Sequence, residues 1–547
     1  MFSSAPPRRS VGWLEPGRRR RRHAPPARPL LVLLALAVLV GGGVAAARWW
    51  TGRDDARRAA ATAFASAWAR RDARAMWDRL TAAAQRAHPY RRVAARDRAA
   101  ARAATVTAVR TGRPGALRGG RVAVPVTVRT RLFGALRGTV VLPVAGDGGG
   151  AGVVWTAALR LPGLRPGERV RRRVGARPRR AALLAADGGR LDRDAEGAAI
   201  AGRPPSGSDR GSGLERAFDA RLAGTPEAQL RFGRRVVARV PQRRGRPVRT
   251  TISLRLQRAA LAALGGRLGG VAVLRPRTGD VLALAGLASS APQPPGSTFK
   301  IITLSAALQA RIARPSSTYP VRTHAVLSGV PLRNASDESC GGTLVTAFAV
   351  SCNSVFAPLG ARLGARRLVG AAERFGFNER PRIPGARAST IPAPKELRDD
   401  LAVGASAIGQ DRDLATPLGM ASVGATIATR GVRATPRIAR VQPVRRRRVV
   451  RTSVARQVRS MMIGVVRGGT GVAAALPGVT VAGKTGTAEL RPTAGGPPDP
   501  RNTDAWFVAF APATAPRIAV GVMLVGAGAG GASAAPVARQ VLQSALG

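Results

Sequence analysis

Two of the three lysines in this chain lie at spacings from hydroxyl residues that suit acyl-transfer chemistry. Ser297 and Lys300 stand in "GSTFK", so on a helix their side chains share one face. A serine hydroxyl needs a base to become a nucleophile near neutral pH. Lysine can be that base when desolvation or a nearby cation lowers its pKa, whereas arginine stays protonated. In a chain that otherwise uses arginine, Lys300 is therefore predicted to accept a proton.

Two further groups of residues make this pattern more specific. Ser351-Cys352-Asn353 follows the apolar run "LVTAFAV", and Lys484-Thr485-Gly486 lies on a predicted strand near the C-terminus. A Ser-x-x-Lys sequence alone carries little weight, because the lysine can simply extend over a helix surface. The three groups in this order indicate one active site. The third lysine, Lys395, follows "IPAP" in a predicted loop and is expected to be exposed.

In this order the three groups resemble the active site of the penicillin-binding proteins and serine β-lactamases. From about Thr251 to the C-terminus, phrases such as "AIGQDRDLATPLGMA" and "VAGKTGTAE", preceded by "SGLERAFDARLAGTP", are similar to a class B penicillin-binding protein, a monofunctional D,D-transpeptidase. The resemblance implies an α+β, multi-domain chain whose C-terminal penicillin-binding domain is an antiparallel sheet flanked by helices. The early part, ending in "PGLRPGERV", resembles the cone-shaped, nuclear transport factor 2-like extension of the methicillin-resistance type.

The resemblance implies a catalytic role for three residues and a binding role for a fourth. Ser297 would be the acylated nucleophile, and Lys300 would be the base that activates it. Ser351 would relay protons to the leaving amine. Asn353 would hold an amide of the stem peptide.

The resemblance also implies how the strand near the C-terminus binds substrate. Lys484, with Thr485 and Thr487, would bind the substrate carboxylate. The missing side chain of Gly486 would let the acyl donor lie against the strand. The N–H groups of Ser297 and Thr487 would form the oxyanion hole.

The implied activity is peptidoglycan cross-linking through a serine acyl-enzyme that also forms with penicillin. No cofactor is expected. The expected partners are lipid II or nascent peptidoglycan stem peptides, β-lactams, and a glycosyltransferase of the divisome or elongasome. A D,D-carboxypeptidase or β-lactamase-type hydrolase stays open, as does a catalytically silent scaffold or β-lactam sensor.

Two other kinds of function are disfavoured. The histidines, His23, His88 and His324, are scattered along the chain, which leaves little for a metal site or a histidine-dependent serine hydrolase. The formal charge of +60 invites a nucleic-acid interpretation, but the arginines are spread along the chain without interleaved aromatics. No nucleic-acid partner is therefore expected.

An uncharged apolar run predicts a membrane anchor at residues 30–47. Its 18 residues would span about 27 Å as a helix, close to the hydrocarbon thickness. The "RRRRR" at 18–22 favours a cytoplasmic N-terminus, and a catalytic part outside the membrane follows. A cleaved signal peptide is the competing interpretation, because "AAA" at 45–47 suits a cleavage site.

The only cysteines, Cys340 and Cys352, fall in the part predicted to be exported. In an oxidising compartment they could form a disulfide, but the sequence cannot place their Cα atoms within bonding distance. Two buried thiols are the other interpretation. The sequence leaves this pairing open.

Composition and periodicity, together with the family resemblance, which supplies the names of the last three segments, divide the chain into five segments. These are a cytoplasmic Arg-rich tail (1–29), the anchor (30–47), the nuclear transport factor 2-like extension (52–163), a pedestal or linker module (164–250) and the transpeptidase domain (251–547). Within the extension, a helical pattern over 54–87 precedes strand patterns near 104–110, 121–131, 138–144 and 152–160. In the last segment, a hairpin around "RTGD" and three strands near the C-terminus must meet in one sheet.

Overall fold

The computed structural model describes residues 51–146, 150–490 and 499–547, and the chain divides into two compact units. The first unit contains the described residues up to Ala176 together with Glu227–Pro241. The second contains Arg177–Pro226 and Gln242–Gly547. The predicted anchor at 30–47 lies outside the described residues. Within the described ranges, every helix is too short or too polar to cross a membrane.

The first unit combines four helices with antiparallel strands. Its helices are residues 51–69 (α1), Ala73–Asp78 (α2), Ala82–Ala87 (α3) and Tyr90–Ala104 (α4). In chain-order numbering, its strands are Val106–Thr111 (β1), Leu117–Arg118 (β2), Arg121–Thr130 (β3), Gly134–Ala145 (β4), Gly152–Val153 (β5), Val170–Val174 (β6), Ala228–Phe232 (β8) and Arg235–Val240 (β9). Strands β1, β3, β4 and β5 pair in that order, with β2 beside β3, and a second sheet runs β6-β8-β9.

Buried and exposed side chains alternate along β3, so one face of the first sheet packs against the core. Val122, Val124, Val126 and Val128 are buried while their neighbours point outward, as a period of two requires. The helical pattern predicted over 54–87 is divided into α1, α2 and α3, because Asp72 and Thr81 cap the N-termini of α2 and α3. Helix α4 was not predicted.

The second unit carries the other helices and strands. Its helices are Ala195–Ala201 (α5), Gly213–Ala217 (α6), Asp219–Leu222 (α7), Leu254–Leu264 (α8), Lys300–Gln309 (α9), Leu344–Ala349 (α10), Asn353–Leu363 (α11), Ala365–Phe375 (α12), Asp400–Ala407 (α13), Pro417–Ala428 (α14), Thr452–Gly468 (α15) and Gly530–Leu546 (α16). Its strands are Leu183–Leu184 (β7), Val248–Arg249 (β10), Gly269–Arg275 (β11), Asp280–Gly286 (β12), Thr318–Arg322 (β13), His324–Leu327 (β14), Val330–Arg333 (β15), Cys340–Thr343 (β16), Val432–Ala434 (β17), Arg446–Arg448 (β18), Ala482–Glu489 (β19), Thr503–Ala511 (β20) and Ile518–Leu524 (β21).

A five-stranded antiparallel sheet organises the second unit, in the order β12-β11-β21-β20-β19. The two ends of the predicted transpeptidase segment therefore meet in one sheet, which confirms the predicted architecture of an antiparallel sheet flanked by helices. One face packs against α8 and α16 in one apolar cluster, and the other face contributes to the larger helical core. Among the described residues, strand β19 is an edge strand, because it pairs with β20 alone.

Helix α9 lies inside the larger core. Every residue from Lys300 to Leu308 is buried, so the helix has no solvent-facing side. Helices α11, α12 and α15 pack around it. A polar group on α9 is therefore removed from water unless the fold opens a cleft to it.

Residues 164–250, predicted as one pedestal or linker module, contribute to both units. Strand β6 pairs with β8, and β8 with β9, inside the first unit, while β7 pairs with β10 inside the second. The strand signal there is weak because arginines interrupt the apolar positions, with three consecutive arginines in β6. The predicted domain boundaries stay predictions.

Candidate active site

A one-turn 3-10 helix, Gly296–Phe299, places Ser297 immediately before α9. Gly296 adopts a φ of +50°, and a Cβ there would lie 2.7 Å from the carbonyl oxygen of Thr487. Only glycine accepts both that conformation and that approach. The N–H of Gly296 donates to the carbonyl of Gly409 at 2.9 Å. This turn thus holds the candidate nucleophile against β19.

Lys300 is fully buried and engages the second group of candidate residues. Its Nζ donates to the carbonyl of Ser351 and to Oδ1 of Asn353, both at 2.6 Å, and lies 3.4 Å from Oγ of Ser351. Burial, and secondly the charge of Lys484, hold the pKa of Lys300 well below its usual range. A neutral amine that donates two hydrogen bonds keeps one lone pair, which is what a general base needs.

Ser351 lies in a tight turn between α10 and α11. Its φ of +66° is left-handed, and the N–H of Cys352 closes the turn on the carbonyl of Ala347 at 2.8 Å. A non-glycine residue in this conformation is uncommon and is found where surrounding structure enforces it. The turn directs both the carbonyl and the hydroxyl of Ser351 to the buried lysines.

A disulfide joins Cys340 on β16 to Cys352 in this turn, with Cα atoms 5.8 Å apart. The pairing that the sequence left open is therefore formed. Cys352 is 1% exposed and stands between Ser351 and Asn353. The disulfide thus ties the second group of site residues to a strand.

Removing this disulfide is expected to destabilise the protein measurably. Replacing Cys340 and Cys352 together by alanine should lower the free energy of unfolding by about 2 to 3 kcal/mol, because the bond closes a short loop in the unfolded chain. Denaturant unfolding with and without dithiothreitol measures the effect. A reductant should destabilise the wild type and leave the double variant unchanged; equal unfolding midpoints for both proteins would contradict the expectation.

Lys484 comes to the same cluster from the edge strand β19. Its Nζ donates to Oγ of Ser351 at 2.8 Å and to the carbonyl of Thr485 at 3.0 Å. Burial lowers the pKa of Lys484 to about 7. Ser351 Oγ is therefore within reach of both lysines, which is the position a proton relay requires.

Gly486 lies where the turn that carries Ser297 meets the edge strand. A Cβ at this position would lie 2.8 Å from the carbonyl oxygen of Pro295 and 3.0 Å from side-chain atoms of Thr298 and Trp506. The turn that carries Ser297 thus fills the space that a side chain at position 486 would need, and the predicted contact of this glycine with an acyl donor stays a prediction. The glycine lets the nucleophile turn and the edge strand touch.

The two threonines of the strand have partners within the fold. Oγ1 of Thr485 lies 2.6 Å from Oγ1 of Thr470, and Oγ1 of Thr487 accepts from the N–H of Gly530 at 3.3 Å. Thr470 had no predicted role, although the sequence places it in the glycine-rich "GGTG" after α15. A hydroxyl fixed on Thr485 orients that residue beside Lys484.

Ser297 itself is free to react. Among the described residues, neither its hydroxyl nor its N–H has a hydrogen-bond partner, whereas the N–H of Gly296 and that of Thr298 are both used. A free N–H in the first turn of a helix suits a developing oxyanion. The cluster thus holds a nucleophile, a depressed-pKa amine, a bridging hydroxyl and a second amine, which together can transfer an acyl group.

A comparison with family models matches residues 269–543, half of the chain, to the transpeptidase domain of penicillin-binding proteins. The match begins at β11 and ends in α16, so it covers the five-stranded sheet and all three groups of site residues.

Individual proteins are also similar to this chain. The peptidoglycan D,D-transpeptidase PbpA of Mycolicibacterium smegmatis is 36% identical over 403 residues, which are 61% of this chain and 79% of the relative. The D,D-transpeptidase domain of a peptidoglycan glycosyltransferase from Eggerthella lenta superposes with a TM-score of 0.60 at 29% identity, over 68% of this chain and 99% of that structure. The structure of penicillin-binding protein A from M. tuberculosis, solved as its penicillin G acyl-enzyme complex, superposes with a TM-score of 0.57 at 29% sequence identity. The superposition covers 68% of this chain and 100% of that structure.

Proposed function

Because the chain belongs to the family of penicillin-binding protein transpeptidases, we propose that it is a class B enzyme, a peptidoglycan D,D-transpeptidase that works through an acyl-enzyme on Ser297. One observation carries the assignment of residues. Two fully buried lysines converge on Ser351, next to a serine whose hydroxyl has no partner in the described part of the chain. Structural lysines are seldom buried without a carboxylate partner, so the arrangement is best explained by proton transfer.

Lys300 starts the acylation step. Its neutral amine takes the proton of Ser297, and Oγ of Ser297 attacks the carbonyl carbon of the penultimate D-Ala of a donor stem peptide. The N–H of Ser297 stabilises the resulting oxyanion, and the N–H of Thr487 is proposed as its second donor.

Ser351 completes the proton transfer. The proton now on Lys300 passes through Oγ of Ser351 to the nitrogen of the terminal D-Ala, and the C–N bond breaks to release D-Ala. Lys484 supports this step, since its charge lies 2.8 Å from the relaying oxygen. An acceptor amine then attacks the ester carbonyl and gives up a proton, Oγ of Ser297 leaves and takes up a proton by the reverse of this relay, and the cross-link is formed.

The donor peptide is proposed to lie along the free edge of β19. An extended peptide can pair with an edge strand, so that main-chain hydrogen bonds give affinity. Its carboxylate would then meet Lys484 and Thr485, while Asn353 holds a side-chain amide. Asn353 is already oriented for this, because its Nδ2 donates to the carbonyl of Arg333 at 2.8 Å and its Oδ1 accepts from Lys300.

Product analysis tests this function directly. Purified full-length protein supplied with lipid-linked disaccharide pentapeptide, a glycosyltransferase and an acceptor should yield cross-linked dimers of stem peptides. Trimmed tetrapeptides without dimers would identify a carboxypeptidase. Unchanged pentapeptide together with penicillin labelling would identify a sensor.

The pH dependence of the reaction should show an alkaline limb set by Lys484. This lysine must be protonated to bind a carboxylate, and burial lowers its pKa to about 7, so kcat/KM should fall as the pH rises above that value. On the acid side, kcat/KM should fall as Lys300 gains a proton, because a protonated amine is no base. Because the two buried lysines interact, the acid and alkaline limbs of the kcat/KM profile report the titration of the pair.

A matched substitution separates the two limbs. Lys484→Arg keeps the positive charge at every pH, so the alkaline limb should disappear even if the maximum rate is lower. Stopped-flow acylation by penicillin between pH 5 and 10 measures both profiles. An alkaline limb near pH 7 that persists in the arginine variant would assign it to another group.

We further propose that residues 30–47 are a single-pass anchor with a cytoplasmic N-terminus and an extracellular or periplasmic catalytic part. Support comes from the uncharged run and the arginines before it. Alkaline phosphatase fused to the C-terminus should be active, and the same reporter fused to the N-terminus should be inactive. An active N-terminal fusion would show that the N-terminus lies outside the cytoplasm and would contradict the proposed orientation.

Residues 52–163 are proposed to form a nuclear transport factor 2-like extension. A membrane-bound glycosyltransferase is proposed as the partner of the enzyme. The succession of helices α1–α4 and an antiparallel sheet supports the extension. An anchored cross-linking enzyme needs nascent strands made at the same membrane, which supports the partner.

A further inference from the structure

An open cleft in the second unit is separate from the residues around Ser297. It has a volume of about 580 Å³, and none of the site residues described above lines it. Four arginines line the cleft: Arg277 in the turn between β11 and β12, Arg430 after α14, Arg446 on β18 and Arg459 on α15. We call it the arginine cleft.

The fold, and not a local run of charge, brings these arginines together. In a chain with a formal charge of +60, exposed arginines alone indicate little. Here each arginine comes from a different element, and the lining contains neither aspartate nor glutamate. Like charges that share a cleft repel one another, so they favour an anion between them.

The guanidinium groups of the cleft are available to a ligand. Across the described ranges, the side chains of Arg277, Arg430 and Arg459 make no hydrogen bond and no ion pair. In the same unit, Arg433 and Arg437 each pair with a carboxylate at 2.6 Å. Arginine binds phosphate through two parallel hydrogen bonds, so guanidinium groups without a carboxylate partner suit a phosphate ligand.

Backbone carbonyls hold the arginine cleft in shape. Nε of Arg446 donates to the carbonyl of Arg277 at 3.0 Å, which joins β18 to the β11–β12 turn. NH1 of Arg448 donates to the carbonyl of Arg430 at 3.2 Å, which joins β18 to the end of α14. The first bond uses one of the five N–H groups of Arg446 and leaves the others for a ligand. The arginines are therefore positioned before any ligand arrives.

The rest of the lining indicates what kind of anion fits. Small apolar residues and two threonines complete it: Ala428, Thr429, Val432, Ala434, Thr514, Ala515 and Pro516. No aromatic side chain lines the cleft, so it has no surface on which a nucleobase could stack. Small apolar and hydroxyl-bearing side chains instead leave room for a short polyol.

The number of charges favours a chain of phosphates over a single ion. Chloride or one phosphate neutralises one or two guanidinium groups and leaves the others facing each other. A polymer with phosphates at intervals can place one against each side of the cleft. Because the cleft is open to solvent, such a chain can extend beyond it.

We propose that the arginine cleft binds a polyol phosphate polymer, in which phosphodiesters alternate with short hydroxylated units. The phosphodiester oxygens accept hydrogen bonds from Arg277, Arg430, Arg446 and Arg459, and the polyol units contact the small residues between them. Binding of such a polymer does not depend on acyl transfer at Ser297, so it goes beyond the proposed function. It would hold the enzyme against an anionic matrix.

Fluorescence anisotropy tests the proposal, with dye-labelled poly(glycerol phosphate) as the probe and full-length protein in neutral detergent at physiological ionic strength. We expect saturable binding by the wild type. Arg430→Gln combined with Arg459→Gln should weaken it at least about tenfold, because two charge-assisted contacts are lost. Neither side chain has a partner in the described chain, so the fold should survive.

A charge-matched pair of substitutions provides the control. Any polyanion is attracted weakly to so positive a protein, so loss of charge alone must be separated from loss of the site. Arg456→Gln combined with Arg539→Gln removes the same charge from exposed positions on α15 and α16, outside the cleft. This pair should weaken binding by less than about twofold, because salt screens distant charges. Thermal unfolding verifies that both double variants are folded.

Three results would overturn the proposal: no saturable binding by the wild type, equal weakening by the two pairs of substitutions, or tighter binding of a single-stranded oligonucleotide with the same number of phosphates. The last result would assign the cleft to nucleic acid. Penicillin should acylate both double variants at the wild-type rate. Failure of penicillin to acylate the wild type would count against the proposed function alone, since polymer binding is measured without it.

Discussion

Replacing Ser297 by alanine is expected to abolish covalent labelling by fluorescent penicillin and to reduce cross-linking at least about 1000-fold, because the bond-forming oxygen is lost. The fold should survive, since the side chain of Ser297 has no hydrogen-bond partner in the described chain. In-gel fluorescence and the rate of dimer formation from lipid-linked substrate measure the two effects.

A serine on the same helix provides the control. Ser305 is fully buried on α9, and its hydroxyl donates to the carbonyl of Ile301 at 2.6 Å, so Ser305→Ala removes a hydroxyl without touching the site. Ser305→Ala should label at close to the wild-type rate. Labelling that persists in Ser297→Ala, mapped by mass spectrometry to another residue, would show that the nucleophile is misassigned.

Lys300→Arg is expected to be nearly as damaging as Lys300→Ala, each lowering the second-order rate constant of acylation by at least about 1000-fold. Arginine keeps the charge, but it cannot accept a proton from Ser297. In the fully buried site, the pKa of lysine is lowered by desolvation and by Lys484, and this makes it a base. Stopped-flow acylation with penicillin over a range of pH gives the rate constants.

The third lysine provides the matched control for this substitution. Lys395 is exposed on a short 3-10 helix, Pro394–Glu396, and not in the predicted loop, so Lys395→Arg should be silent. Circular dichroism and thermal unfolding separate a catalytic defect from a folding defect in the Lys300 variants. Acylation of the arginine variant at the wild-type rate would refute the role of Lys300, whereas recovery at high pH is not expected because arginine stays charged.

Much of the catalytic unit could be predicted because its signals are local. The hairpin around "RTGD" became β11 and β12, and the segments "VTVAGKTGTAEL", "AWFVAFA" and "RIAVGVMLVG" near the C-terminus became β19 to β21. Ser297 and Lys300 could be paired because a helix fixes their spacing. From these elements the sequence predicted the fold class, and it predicted that strands from the start and from the end of the transpeptidase segment lie in one sheet.

The contacts that shape the site could not be predicted, because they join residues far apart in sequence. The left-handed turn at Ser351, the contact between Gly296 and Gly409 and the hydroxyl pair of Thr470 and Thr485 depend on tertiary packing. Gly486 was recognised, but its close approach to the turn of Ser297 was not predicted, since a sequence does not show which backbone lies against a missing side chain. In the first unit, α4 was missed because its buried face consists of three alanines and one valine, which give only a weak hydrophobic pattern in the sequence.

The burial of two of the three lysines also decides how this protein can be handled. Lys300 and Lys484 are shielded from solvent, so a succinimidyl ester finds one reactive side-chain amine in the described chain, that of Lys395. Dyes, biotin or a surface-coupling linker can therefore be attached at one known side chain of the described residues, on the 3-10 helix Pro394–Glu396. The attachment leaves the amines that carry the chemistry untouched.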